Sequence, residues 1–504
     1  MSTPALSSRV PAEADPKRFR ALAVIAIAQL MIVLDATVVT VALPSAQRAL
    51  DISVANRQWV LTAYALSFGS LLLLGGRIAD YLGRRRIFIV GLVGFAGASA
   101  LGGLAQSAWM LFAARGLQGA FAALMAPAAL SLLTVTFTEA RERARAFGVY
   151  GAIAGGGAAI GLVLGGLLTQ YASWRWTLLI NVPIAIITAV AATRVVRESR
   201  VENQTHYDIP GAVLSTLGLF LLVFGFTRAG ADGWGSSVTV AFIGGAVIAL
   251  TAFVIVELRS SSPLLPMRVV LDRNRGGSFL TSLLVGIALL GTFLFLTYYL
   301  QLTLHYSALK TGFAFLPLSA GIVVAATAAS QVLPRIGPKP VMLIGLVLGT
   351  LGLLWFTRIT GDSSYVTHIL PAEIVLSLGL GFAFVPMNST ALVGVETKDA
   401  GVASALVNTT QQVGGSLGTA LLNTIAASTA ATYLASRALT PANVQTATIH
   451  GYTTGFAISA GALALAVVVT AVLIRASRHD LEAHPDELEE FFAEEGDAAQ
   501  AAPA

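Results

Sequence analysis

Long apolar runs separated by short polar stretches dominate this sequence. Each run has about 20 residues, the length that an α-helix needs to cross a hydrocarbon core about 30 Å thick. No alternation of period 2, as in a membrane β-barrel, is present. The pattern predicts an all-α polytopic membrane protein with fourteen transmembrane helices, at residues 21–44, 58–80, 87–106, 109–134, 146–170, 176–194, 209–228, 238–257, 278–304, 311–333, 340–357, 368–393, 402–427 and 453–475.

Composition supports the membrane assignment and excludes several classes of protein. Of 504 residues, 56% are hydrophobic and only 11% are charged, whereas a soluble domain has about 25% charged residues. The chain has no cysteine, and its six histidines show no metal-ligand spacing, so we expect neither a disulfide framework nor a metal site. A Walker motif is absent from the sequence. We therefore expect a protein that is not an enzyme and needs no cofactor.

The distribution of basic residues predicts the orientation. With the N-terminus in the cytoplasm, 23 of the 31 Lys and Arg residues fall on the inner side, 7 fall in outer loops, and Arg115 lies within a span. Short cytoplasmic loops carry such an excess of positive charge. We expect a bacterial cytoplasmic-membrane protein with both termini inside. Because the basic residues follow the loops, they do not indicate a nucleic-acid partner.

The spans are arranged as six, two and six. The predicted parts are a cytoplasmic N-terminus (1–20), a six-helix bundle (21–200), two inserted helices with linkers (201–275), a second six-helix bundle (276–476) and an acidic cytoplasmic tail (477–504). Two pseudo-symmetric bundles with a site near the membrane midplane are the usual plan of a secondary transporter. We expect the chain to function as a monomer.

The loop after the second span reads GGRIADYLGRRR, residues 75–86. Its glycines allow close helix approach and a tight turn at the cytoplasmic edge. The loop resembles the signature of the major facilitator superfamily. The resemblance implies a cytoplasmic gate, with Glu139 and Glu142 as candidate partners in the next inner loop. Its residues would be Gly76, Asp80, Gly83, Arg84 and Arg85.

The fourth span begins ARGLQGAFAALMAPAAL, residues 114–130. It is similar to a second motif of the superfamily, Arg-x-x-Gln-Gly-x-x-x-Ala. Arg115 and Gln118 are three positions apart and share one helix face. A guanidinium here either faces the bundle interior, beside an acid or water, or extends to the outer interface.

The fifth span reads GVYGAIAGGGAAIGLVLGGLL, residues 148–168. It resembles the motif that marks exporters in the superfamily, although Leu162 stands where that motif has proline. Without the proline a hinge is not expected. The glycines still predict close packing, or a moving interface, against a neighbouring span. The gate residues expected here are Gly155, Gly161, Gly165 and Gly166.

Two further segments narrow the resemblance. The first span contains LDATVVTVALP, with Thr40 where the family usually has Asn, and the sixth opens with WRWTLLINVP. With fourteen spans, these segments resemble the drug:proton antiporter branch, and within it actinobacterial antibiotic-resistance exporters. The resemblance implies proton-coupled export of a drug by alternating access. A proton-coupled importer of a small nutrient is the alternative.

Asp35 lies about fifteen residues into the first span. An ionised carboxylate at this depth costs at least about 2.5–3.5 kcal/mol on insertion scales. Because burial disfavours the charged form, such a group is suited to gaining and losing a proton near neutral pH. We predict that Asp35 is the proton-coupling site, with Arg115 as its partner. The alternative is a structural Asp hydrogen-bonded to Gln29, Thr37 or a neighbouring helix.

Aromatic and amide side chains in several spans suit large amphipathic molecules. Glu373 is the single acid at membrane depth in the last six spans, and its place near a span end is typical of an interface carboxylate. With so few buried acids, we expect the drug to be neutral or monocationic. The candidate substrate residues are Gln29, Tyr64, Phe68, Gln118, Asn181, Phe293, Tyr298, Asn388, Asn408, Gln411 and Gln412.

Overall fold

The computed structural model describes residues 17–54, 56–137, 140–199, 208–260, 263–395 and 400–478. Within these ranges every regular element is a helix. Most of the predicted N-terminal segment and nearly all of the acidic tail lie outside the described residues.

The helices are α1 (Arg18–Ala49), α2 (Trp59–Leu82), α3 (Arg84–Gly103), α4 (Ala108–Thr136), α5 (Ala140–Tyr171), α6 (Trp176–Leu179), α7 (Asn181–Val195), α8 (Ile209–Asp232), α9 (Ser237–Arg259), α10 (Met267–Val270), α11 (Arg273–Tyr298), α12 (Ala308–Ala314), α13 (Leu316–Ile336), α14 (Pro338–Phe356), α15 (Leu370–Leu392), α16 (Ala400–Leu434) and α17 (Pro441–Leu473). Two short π-helical segments, Tyr299–Thr303 and Tyr365–Ile369, extend α11 and precede α15.

Every predicted span overlaps a helix. Eleven helical stretches of the described chain are long and apolar enough to cross a membrane. The remaining three predicted spans coincide with α2, α5 and α16. The predicted fold class, an all-α polytopic membrane protein, is confirmed, and the helices are consistent with a count of fourteen.

Local sequence signals set several helix ends. The side chains of Ser107, Asp208, Ser307 and Thr440 each accept a hydrogen bond from a backbone N–H in the first turn of the following helix. Such caps satisfy backbone donors that have no partner within the helix. Gly83 separates α2 from α3 with φ +106°, a conformation that favours glycine.

Helix packing follows the division into two halves. In the first half α2 packs on α4 and α1 packs on α5; in the second, α11 packs on α16 and α14 on α15. The two inserted helices, α8 and α9, pack on each other, and α8 also contacts α2 and α16. The inserted pair therefore lies beside the seam between the halves, where α2 meets α16.

The halves are joined on the side that the charge distribution predicts to be extracellular. One continuous apolar core contains Leu43, Ile52 and Leu111 of the first half together with Phe295 and Tyr299 of the second. A separate apolar core contains the opposite ends of the first-half helices. The structure is therefore closed on the expected outer side.

Candidate functional site

Asp35 and Arg115 form an ion pair inside the first half. Arg115 Nη1 lies 2.6 Å from Asp35 Oδ2, and the Arg115 and Asp35 side chains are 1% and 0% exposed. Arg115 Nε also donates to the carbonyl oxygen of Val60 on α2, at 2.9 Å. The arginine does not extend to the outer interface, so that interpretation is wrong. It links α1, α2 and α4 in the interior.

Two amides complete the coordination of the carboxylate. Gln118 Nε2 and Asn181 Nδ2 donate to Asp35 Oδ1 over 2.9 and 2.8 Å. Gln118 also contacts Ser99 Oγ on α3, at 2.7 Å, and accepts from Arg115 Nη1 at 3.0 Å. The cluster therefore joins α1, α4 and α7 at Asp35, and Gln118 extends it to α3.

The hydrogen-bond pattern describes an ionised Asp35. Both oxygens accept from nitrogen donors. The guanidinium compensates the negative charge, and this offsets the free energy of burying the carboxylate. Of the alternative structural partners, Gln29 and Thr37 have other bonds: Gln29 Oε1 accepts from the Tyr150 hydroxyl at 2.6 Å, and Thr37 Oγ1 donates to the Val33 carbonyl at 2.9 Å. Hydrogen bonds to neighbouring helices, the third alternative, are present. Asp35 is fully enclosed by these helices.

Two unsatisfied polar atoms border the ion pair. The guanidinium carbon of Arg115 lies 4.5 Å from the ring centroid of Tyr64, a cation–π contact. Tyr64 Oη and Asn181 Oδ1 are buried and have no hydrogen-bond partner in the described part of the protein. Phe68 stacks next to Tyr64, with the ring centroids 5.8 Å apart. Unsatisfied polar atoms beside aromatic rings provide points of attachment for a water or a ligand.

The glycines of α5 lie against two different neighbours. A Cβ on Gly165 would lie 2.7 Å from the carbonyl oxygen of Val38 on α1, and a Cβ on Gly161 would lie 1.9 Å from Thr37 Oγ1. A Cβ on Gly166 would instead meet Ala308 of α12, at 2.8 Å from its carbonyl oxygen. The stripe therefore packs on α1 and on the second half simultaneously. The structure does not describe the surroundings of Gly155.

The cytoplasmic loop is held by an acid that sequence analysis missed. Glu198 accepts from the backbone N–H groups of Arg85 and Arg86 at 3.0 and 3.2 Å, at the N-terminus of α3. Both guanidinium groups also lie 3.8 Å from Glu198. A carboxylate at this position is favoured by the helix dipole. The sequence signal for this contact is Glu198 itself, an acid that follows the sixth span within an otherwise basic segment.

Other members of the predicted gate have separate contacts. The backbone N–H of Arg84 donates to the carbonyl of Ser199 at 2.9 Å. Glu142 forms an ion pair with Arg18, at 2.8 Å. A Cβ on Gly76 would be in ordinary contact with Pro127. The Asp80 side chain and Glu139 lie outside the described residues, so the role of Asp80 and Arg84 in a cytoplasmic gate stays a prediction.

The candidate substrate residues are not gathered in one place. Tyr64, Gln118 and Asn181 belong to the Asp35 cluster, as shown above. Tyr298 lies at the outer seam, where its ring stacks under the Arg57 guanidinium at 4.0 Å. Phe293 packs on Phe315, with ring centroids 5.5 Å apart. Their role in drug binding stays a prediction.

The four remaining amides lie on α15 and α16. Asn388 and Asn408 are exposed, and Gln411 and Gln412 are half-buried. Asn388 Nδ2 donates to the carbonyl of Phe384 at 2.8 Å. Gln412 lies at the seam, since a Cβ on Gly69 of α2 would be 3.0 Å from its Cβ.

Many membrane helices around a buried charge cluster are typical of a polytopic transporter. The family model described as Major Facilitator Superfamily matches residues 25–419. The chain belongs to that superfamily.

Its relatives carry names of resistance and export. It is 49% identical over 476 residues to the puromycin resistance protein pur8 of Streptomyces alboniger, covering 93% of this chain and 94% of the relative. It is 40% identical over 412 residues to the cephamycin export protein CmcT of Amycolatopsis lactamdurans, covering 81% and 85%. A bacterial homologue of the lysosomal transporter Spinster, solved inward-facing and unoccupied, matches with a TM-score of 0.66 at 16% identity, covering 93% and 99%.

Proposed function

We propose that this protein exports amphipathic, neutral or monocationic antibiotics from the bacterial cytoplasm, in exchange for protons, by alternating access. The fully enclosed Asp35–Arg115 pair carries the proposal, because it connects several helices of one half through a group that can take up a proton. The family and the names of the relatives support the drug-export part.

Protonation of Asp35 would break the cluster. A neutral carboxyl no longer compensates the guanidinium, and one of its two oxygens now carries a hydrogen and acts as a donor. Arg115 would then be a buried, uncompensated cation, which is strongly unfavourable. The helices that meet at Asp35 would have to rearrange to hydrate or re-pair the arginine. This response links proton uptake to helix movement.

The energy available is sufficient for drug accumulation. Each proton that moves down the membrane potential contributes about 2.3 kcal/mol per 100 mV. This supports about fortyfold accumulation of a neutral drug, since 1.4 kcal/mol corresponds to a tenfold ratio.

The closed outer side supports an inward-open conformation in this structure. Two exposed amides, Asn388 and Asn408, lie in the cytoplasmic halves of α15 and α16 in the predicted orientation. Because amides facing lipid are costly, polar side chains at membrane depth normally face a water-filled cavity. We infer that these amides border the cytoplasmic entrance of the drug pathway.

The proposal is tested in inside-out membrane vesicles with an imposed pH gradient, acid inside, and puromycin as the first probe. We expect wild-type vesicles to accumulate the drug and the Asp35→Asn variant to lose accumulation while inserting normally. Asp232→Asn, which changes an exposed acid of α8, is the matched control and should transport normally. Undiminished proton-driven uptake by Asp35→Asn would refute the coupling role. Accumulation only in right-side-out vesicles with the acid side outside would identify a proton-coupled importer.

A further inference from the structure

Glu373 is a second enclosed acid, at the beginning of α15. Its side chain is 0% exposed, so the expectation of an interface carboxylate is wrong. Glu373 Oε2 lies 3.1 Å from the hydroxyl oxygen of Tyr365. Glu373 Oε1 is buried and has no hydrogen-bond partner in the part of the chain that the structure describes. This acid therefore has far fewer donors than Asp35.

The hydrogen count at Tyr365 assigns a proton to Glu373. The Tyr365 hydroxyl oxygen also lies 2.7 Å from the carbonyl oxygen of Ala314. A carbonyl only accepts, and a phenol has a single hydrogen to donate. When that hydrogen is on the shorter contact, to Ala314, the contact with Glu373 requires a hydrogen on the carboxyl. An ionised Glu373 would place its lone pairs against those of the phenol.

The surroundings also favour a neutral carboxyl. The titratable group that touches Glu373 is Tyr365, and behind it lies Tyr306, with ring centroids 6.4 Å apart. The ammonium of Lys310 lies over the Tyr306 ring, 3.7 Å from its centroid. His368, on the π-helical segment, is exposed and bonded to Thr367. A buried carboxylate without a bonded cation is relieved by binding a proton.

We propose that Glu373 is a proton-binding site of the second half, separate from Asp35 and occupied in the outer-closed conformation. The two acids hold opposite states in this structure: Asp35 is ionised and paired, and Glu373 is protonated. The use of this proton in drug exchange rests on the proposed function, whereas its presence on Glu373 does not.

The site is connected to the outer seam through α12. Ala314, which accepts from Tyr365, is the last residue of α12. This helix packs closely on α5: a Cβ on Gly312 would lie 2.4 Å from the Leu162 carbonyl oxygen. The backbone N–H of Leu309 donates to Gln170 Oε1 at 3.3 Å. Loss of the proton would make the carboxylate compete with Ala314 for the Tyr365 hydrogen. Protonation therefore favours closure of the outer side.

The first test is infrared spectroscopy of the purified, drug-free protein at neutral pH. We expect an absorption band of a protonated carboxylic acid that is lost in Glu373→Gln and retained in Asp35→Asn. Asp232→Asn, which alters an exposed, ion-paired acid of α8, is the matched control and should retain the band. A wild-type spectrum without such a component, or an unchanged spectrum in Glu373→Gln, overturns the proposal.

A second variant keeps the test valid if Glu373→Gln does not fold. Tyr365→Phe removes the hydroxyl that contacts the carboxyl, so we expect the band to shift in frequency but to persist. A band at the wild-type position in Tyr365→Phe would overturn the assignment. These spectra need no transport, so a failure of Asp35→Asn to lose export would refute proton coupling and leave the Glu373 result standing.

Discussion

Arg57 and Asn423 form a buried hydrogen bond across the outer seam, with 3.1 Å between Arg57 Nε and Asn423 Oδ1. The two residues are 366 positions apart and belong to different halves. The Asn423 amide also donates to the carbonyl of Val54 at 3.2 Å, and the Arg57 guanidinium lies over the Tyr298 ring. One amide of α16 therefore holds the loop between α1 and α2 against the second half.

We expect Asn423→Ala to open the outer side, because it leaves the Arg57 guanidinium buried with one partner fewer. Hydrogen bonds to charged groups contribute about 1.5–3 kcal/mol, so the outer-open population should rise about tenfold or more. The chain has no cysteine, and spin labels at Ala49→Cys and Ala438→Cys, both exposed on the outer side, would report the distance. Ser428→Ala, on the exposed face of α16, is the control. An unchanged distance distribution in Asn423→Ala would show that this bond does not hold the seam.

The Asp35–Arg115 pair should show strong coupling in a double-mutant cycle. Asp35→Asn leaves a buried cation and Arg115→Gln leaves a buried anion, and each should lower stability by about 3–5 kcal/mol. The double variant removes both charges and should recover much of the thermal stability in detergent, without recovering pH-driven export. Additive losses of stability would mean that the two charges do not compensate each other.

Gly165→Ala should damage the protein more than Gly97→Ala. The new methyl at position 165 would meet backbone atoms of Val38, at 2.7 and 2.8 Å, whereas the methyl at position 97 would meet nothing within 4 Å. Backbone cannot rotate away, so α5 must separate from α1; overpacking of this kind costs about 1–3 kcal/mol. We expect a lower melting temperature and reduced export for Gly165→Ala, and values near wild type for Gly97→Ala. Equal effects of the two substitutions would contradict close α1–α5 packing.

Much of the site was predictable because residue type and helical spacing constrain it. The spacing of Arg115 and Gln118 placed both on one face of α4, and the cost of a lone charge in hydrocarbon favoured an interior partner over the outer interface. Asp35, deep in the first span, was the candidate. The structure brings the three together and adds Asn181, which had been assigned to the substrate site. The sequence shows an asparagine at position 181 but does not indicate that it contacts Asp35.

Other contacts had no local signal. Nothing in the order of residues indicates that Asn423 meets Arg57, because a hydrogen bond between halves depends on how two bundles dock. Glu198 lay in a segment that the positive-inside rule treats only as a basic loop. The interpretation of Glu373 as an interface carboxylate, from its place near a span end, was wrong for a similar reason. The side chain is buried beside Tyr365 of the preceding π-helical segment, which in turn contacts Ala314 of α12.

The sequence alone determined that this is an all-α membrane protein and which charges are too deep to be incidental, and it predicts the number and direction of the spans. These follow from transfer free energies and helical period, which act within about twenty consecutive residues. The tertiary structure decided which of those charges are compensated and which end of the bundle is closed. Ion pairing and enclosure depend on atoms brought within about 3 Å from distant helices, and no periodicity along one chain specifies that approach.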